Sequence, residues 1–129
     1  MLRHTLAGGL VIAAAGCVLA GGSVAQADIY APYARAAAIV DTDGTLNNHK
    51  NVTASSRVAK GHYCVRIGRS VDVTGGLIQI TPRVPNRLPY IAYRNPSALC
   101  DHAENTLAVV VYDPTTGHLA DGGFDVAVL

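Results

Sequence analysis

From residue 36 to the C-terminus, apolar side chains recur at every second position in short runs that Gly, Pro, Asn and Asp keep interrupting. A chain so patterned has few ways to bury its apolar surface other than as antiparallel β structure, because period two puts alternate side chains on one face of a strand. The runs cover 36–40, 52–60, 62–67, 77–81, 90–94, 98–102, 106–112 and 124–128. Tyr63, Val65 and Ile67 share a face, as do Ile78 and Ile80 opposite Gln79 and Thr81, and Phe124, Val126 and Val128 opposite Asp125. The 106–112 run is apolar on both faces, which predicts a central strand covered on both sides. Turn residues separate the runs at Asp41 to Gly44, Gly61, Thr74 to Gly76, Asn95-Pro96, Asp113 to Gly117 and Asp121 to Gly123. The intervals are too short for crossover helices, which excludes a parallel sheet. Only 31–40 has helical propensity, and its β-branched end, Ile39-Val40, suits a strand or extended linker equally. The expected fold is all-β: a small antiparallel sandwich or barrel of seven to eight strands over 36–129.

Ahead of that domain stands a segment with the marks of an export signal. Arg3 supplies a positive start, 6–19 an apolar run, and Ala25-Gln26-Ala27 a small-x-small cleavage site. Residues 1–27 are expected to be a removed bacterial signal peptide and 28–35 a flexible lead-in, making the protein secreted and extracellular, with no membrane span. Cys17 follows Ala14-Ala15-Gly16, a loose likeness to a lipobox, so lipid anchoring through Cys17 is the alternative. Ala14 stands where that motif has Leu, and the better cleavage site lies downstream at Ala27.

Without Cys17, two cysteines are left, and in an oxidising compartment Cys64 and Cys100 are expected to form one disulfide. Cys64 alternates with His62 and Arg66, away from the Tyr63-Val65-Ile67 row, so the bridge is expected outside the main core. The rival is a zinc set of His62, Cys64, Cys100 and His102, which two adjacent strands could present on one face. No other cofactor is indicated.

Charge is balanced overall but divided along the chain. Arg3 leaves with the signal, reducing ten Lys and Arg to nine against nine Asp and Glu. Lys50, Arg57, Lys60, Arg66, Arg69, Arg83, Arg87 and Arg94 are joined between 50 and 94 by Asp72 alone, whereas Asp101, Glu104, Asp113, Asp121 and Asp125 have no cation among them. Either the two blocks compensate each other across the sheets, or they leave a dipolar surface that steers an anionic partner. Zero net charge argues against specific nucleic-acid binding.

The strand-like 37–40 and the following Asp41-Thr42-Asp43-Gly44-Thr45 resemble the first motif of haloacid-dehalogenase-type phosphatases. The resemblance implies a nucleophilic Asp41, an Asp43 that handles the leaving-group proton, and Mg²⁺; Asp121 and Asp125 mimic that family's last acidic pair. Its parallel sheet with intervening helices has no room here, so a tight turn is the favoured reading and a small hydrolase the alternative. An EF-hand counted from Asp41 would need Glu at the twelfth place, where Val52 stands. No Gly-x-Ser-x-Gly is present, and His49, His62, His102 and His118 have no flanking pattern that selects a base.

The most individual segment is 81–89, Thr-Pro-Arg-Val-Pro-Asn-Arg-Leu-Pro. Pro82, Pro85 and Pro89 stiffen it and Arg83, Asn86 and Arg87 project from it, so it is the candidate binding loop, and a protease inhibitor presenting Arg87 is a further alternative. There is no Trp to stack on a sugar, and Tyr30 and Tyr33 are the aromatics expected to be exposed. Gly61-His62-Tyr63-Cys64-Val65, with Cys100 and the ending Tyr112-Asp113-x-x-Thr116-Gly117-x-x-Ala120-Asp121-x-x-Phe124, resembles a set of small secreted actinobacterial β-domain proteins, mostly uncharacterised. That resemblance implies export and a β fold and brings no activity. The expected function is a non-enzymatic extracellular interaction or structural module whose partner is an extracellular protein or a polyanionic surface.

Overall fold

The computed structural model describes residues 31–129. The expected signal peptide, Cys17 and Tyr30 lie outside the described residues. Eight strands form two four-stranded antiparallel sheets. They are β1 (Ala36–Val40), β2 (Leu46–Lys50), β3 (Val52–Ala59), β4 (His62–Ile67), β5 (Ile78–Pro82), β6 (Leu88–Tyr93), β7 (Thr106–Tyr112) and β8 (Phe124–Val128). The first sheet runs β2-β1-β8-β5 and the second β3-β4-β7-β6. At one side β2 lies along β3, at the other β5 along β6, so the layers meet at both lateral edges. Among the described residues no helix is long and apolar enough to cross a membrane.

The core follows from the alternation. Ala36, Ala38 and Val40 of β1 and Phe124, Val126 and Val128 of β8 face Tyr63, Val65 and Ile67 of β4 and Leu107, Val109 and Val111 of β7, all buried. Small alanines on β1 leave space for Phe124 and Tyr63, whose rings meet edge to face with centroids 5.4 Å apart. Val71 and Val73, from the connection between β4 and β5, close one end of this cluster. Strand β7 is buried along nearly its whole length, as its two-sided apolarity predicts.

Two elements differ from the sequence reading. Strand β2, Leu-Asn-Asn-His-Lys, has no apolar alternation and was not among the expected strands; it forms because it pairs along the outer side of β1. Residues 98–102, expected as a strand, are instead a 3₁₀ turn, Ala98–Cys100, followed by Asp101 and His102 with left-handed backbone. Extended pairing stops there because both residues have positive φ, and the bend closes when the His102 and Cys100 N–H groups donate to Ser97 O at 2.8 and 3.1 Å. Ahead of β1, the Arg35 N–H donates to Val128 O at 2.7 Å and Lys50 Nζ donates to Ala31 O at 3.1 Å.

Candidate functional site

At one end of the sandwich the basic and acidic blocks meet. Arg57 Nε donates to Asp121 Oδ1 at 2.8 Å, Arg83 Nη1 to Asp125 Oδ1 at 2.9 Å and Arg87 Nη1 to Asp113 Oδ2 at 3.4 Å. The Arg57 guanidinium, with help from the Gly61 N–H, holds the Asp121 carboxyl below the usual carboxylate range. These pairs are the compensation between the basic and acidic blocks that the divided charge pattern allowed.

The candidate binding loop belongs to this network. Pro82 ends β5 and Pro89 sits within β6, both on sheet-edge strands where a missing N–H breaks no ladder, so the free connection is only 83–87. Arg83 N donates to Gly123 O, Arg87 Nε to Asp121 O and Arg87 Nη1 to Asn86 O, while Asn86 takes left-handed backbone. The loop is a clasp between the sheets, and both its guanidinium groups already have carboxylate partners.

Asp41 and Asp43 sit in a tight turn between β1 and β2. Gly44 N donates to Asp41 O and Asp41 N to Thr45 O, both at 2.9 Å. The Asp43 carboxylate accepts from Thr45 N at 2.9 Å, which lowers its pKa, and the Asp41 carboxylate accepts from Asn47 Nδ2 at 3.3 and 3.5 Å. Gly44 has φ of 89°, and a Cβ there would run into the backbone of Arg57, so the turn is seated against β3. Tyr63 ties this corner together: its buried hydroxyl donates to Thr42 O at 2.6 Å and accepts from Gly122 N at 3.1 Å, and burial raises its pKa. Thr42, Asp43, Arg57 and Asp121 line a shallow depression of about 490 Å³ over the corner.

Cys64 and Cys100 are joined, with Cα atoms 5.7 Å apart. Each sulfur is the other's partner, which overturns the His62, Cys64, Cys100, His102 zinc set: a disulfide sulfur is no thiolate ligand. Among the described residues no three of His, Cys, Asp and Glu converge to hold a metal ion. With Ala108 and Leu99 the bridge forms a second apolar cluster on the outer face of the second sheet, outside the main core as expected. It pins the connection between β6 and β7 down onto β4 and β7.

That pinned turn makes one wall of a groove of about 420 Å³, and β3 makes the other. Ala54, Ser56 and Val58 face Leu99, Asp101 and Ala103 across a floor that contains the disulfide, and Ser55, Arg66 and Thr106 complete the lining. In register, Arg66 lies between Ala54 of β3 and Thr106 of β7. Arg66 also lines an adjoining polar hollow of about 890 Å³ with Thr53, Ile67, Arg69, Glu104 and Asn105. Asn105, with left-handed backbone, fixes the rim of the hollow by donating to Ile67 O and Gly68 O at 2.9 and 2.8 Å.

Farther along the same face are aromatics that the sequence reading missed. Tyr33 is exposed as expected, but so are Tyr90 at 46% and Tyr93 at 56%, and Tyr90 packs edge to face on Tyr112 at 5.9 Å. The signal was present: Tyr90 alternates with Ile91, which packs on the core. The groove had no comparable signal, since its second wall depends on a turn that reads as a strand. No known protein family, curated protein or solved structure matches the chain.

Proposed function

We propose that the protein is exported and works outside the cell as a non-catalytic binding module, with its ligand seated in the groove above Cys64–Cys100. The observation that carries this reading is the groove's construction. Its two walls come from separate parts of the chain and are both anchored to β4, the turn through the disulfide and β3 through its hydrogen-bonded ladder, so little freedom is lost when a ligand enters. A volume of about 420 Å³ lies in the range roughly 300–1,000 Å³ usual for small-ligand sites. The clasp formed by Arg83, Asn86 and Arg87 is a weaker candidate because binding through its cations would first have to break their existing pairs.

The test is capture of ligand from the native culture medium by the wild-type protein, Ser56→Tyr and Arg83→Ala. Ser56 is exposed on β3 beside Cys64, so a tyrosine there fills the groove while suiting a strand. A ligand retained by wild type and Arg83→Ala but lost by Ser56→Tyr is the expected outcome. Phosphatase turnover with Mg²⁺ that disappears in Asp41→Asn would instead establish the hydrolase alternative.

A further inference from the structure

Apart from Arg35, which lies just ahead of β1, the described arginines divide into two groups. Arg57, Arg83 and Arg87 hold carboxylates, and Arg94 Nη1 donates to Gly76 O at 3.0 Å. Arg66 and Arg69 make no side-chain hydrogen bond or ion pair with any described residue, although Glu104 lines the same hollow. Arg66 stands where groove and hollow meet, with apolar side chains on one side of it and Arg69 on the other. A guanidinium left unpaired beside an apolar groove complements a ligand with an apolar body and a planar anionic end, because its fork of N–H donors matches a carboxylate in a bidentate pair.

We infer that the groove receives the carboxyl terminus of a peptide whose last side chain is apolar, with Arg66 holding the terminal carboxylate. This rests on the groove being the binding site. Arg69 adds a second positive charge behind the carboxylate, and the last side chain packs against Val58, Leu99 and Ala103. The remaining lining selects a peptide over an acyl chain. The Ser56 hydroxyl and the Asp101 carboxylate have no protein partner among the described residues. An alkyl chain would strip water from these groups and return nothing, whereas peptide N–H and C=O groups satisfy both.

The experiment titrates the isotopically labelled protein with a pool of acetylated tetrapeptides ending in leucine, once as free acids and once as C-terminal amides, and separately with decanoate, following backbone amide resonances. Free-acid peptides are expected to shift Leu99, Ala103 and Arg66, and the amides to bind about tenfold or more weakly, in keeping with loss of a charge-assisted pair. Arg66→Gln should abolish the difference between acid and amide, and Arg66→Lys should restore part of it. Acid and amide binding equally in the groove would overturn the carboxylate assignment while leaving the groove as a binding site. Decanoate binding there as tightly as the free-acid peptides would overturn the peptide assignment. No shift at the groove from any probe would overturn this inference, while ligand capture that Ser56→Tyr abolishes would still uphold the binding module. Because the acid-against-amide comparison uses wild-type protein, a misfolded Arg66 variant leaves the outcome decided.

Discussion

One oxygen atom, the Tyr63 hydroxyl, holds two loops to the core at the end of the sandwich that carries the ion pairs. Tyr63→Phe keeps the edge-to-face contact with Phe124 but leaves Thr42 O without its donor and Gly122 N–H without its acceptor. Urea unfolding should show a loss of about 1–3 kcal/mol, the usual range for stranded buried polar groups. The carboxylates predict a pH dependence with a defined sign. Asp121 is held low by the Arg57 guanidinium, Asp113 by the Thr115 N–H and Asp72 by the Thr74 hydroxyl. Each folded-state pKa lies below its unfolded value, so the stabilisation is complete above about pH 5 and is lost as pH falls through the depressed values. The urea midpoint should therefore decline as acid is added below that point, and Asp121→Asn should decline less steeply than wild type.

The strands whose burial follows from their own residues were legible before the structure: β4 and β8 carry their alternation openly, β7 is apolar on both faces, and the core is built from the expected faces. Strand β2 was not, because an edge strand with Asn47, Asn48 and His49 owes its conformation to β1 rather than to apolar patterning. Residues 98–102 misled in the opposite way, since Ala98, Leu99 and Cys100 are apolar enough for a strand but pack onto the outside of a sheet as a turn. The groove was lost with that error, although the outward row of His62, Cys64 and Arg66 was already visible. The turn owes its place to the disulfide, which gives a prediction for this element. The bridged residues are 36 apart in sequence, so reduction, or Cys64→Ala with Cys100→Ala, should cost about 3–4 kcal/mol in urea unfolding. Hydrogen exchange should show 97–105 opening before β1 and β8, and any ligand held in the groove should be released at the same time.

Across the whole molecule, the divided charge pattern resolves into three pairs whose members are distant in sequence. All three are partly exposed, so they contribute little stability. Arg83→Ala should leave the urea midpoint almost unchanged, and added salt should have a similarly small effect. Stability resides instead in the shared interior, where Gly44→Ala is expected to be far more damaging because it forces the turn carrying Asp41 and Asp43 away from β3. Thermal denaturation of both variants would rank them.

Strands β1 and β8, the first and last of the sandwich, are hydrogen-bonded neighbours in register from Ala36 against Val128 to Val40 against Phe124. Until β8 has emerged from the ribosome, β1 lacks one of its two flanks and the interior stays open to water. A nascent chain that has not yet reached β8 therefore cannot lock, and it stays pliant until that strand is added.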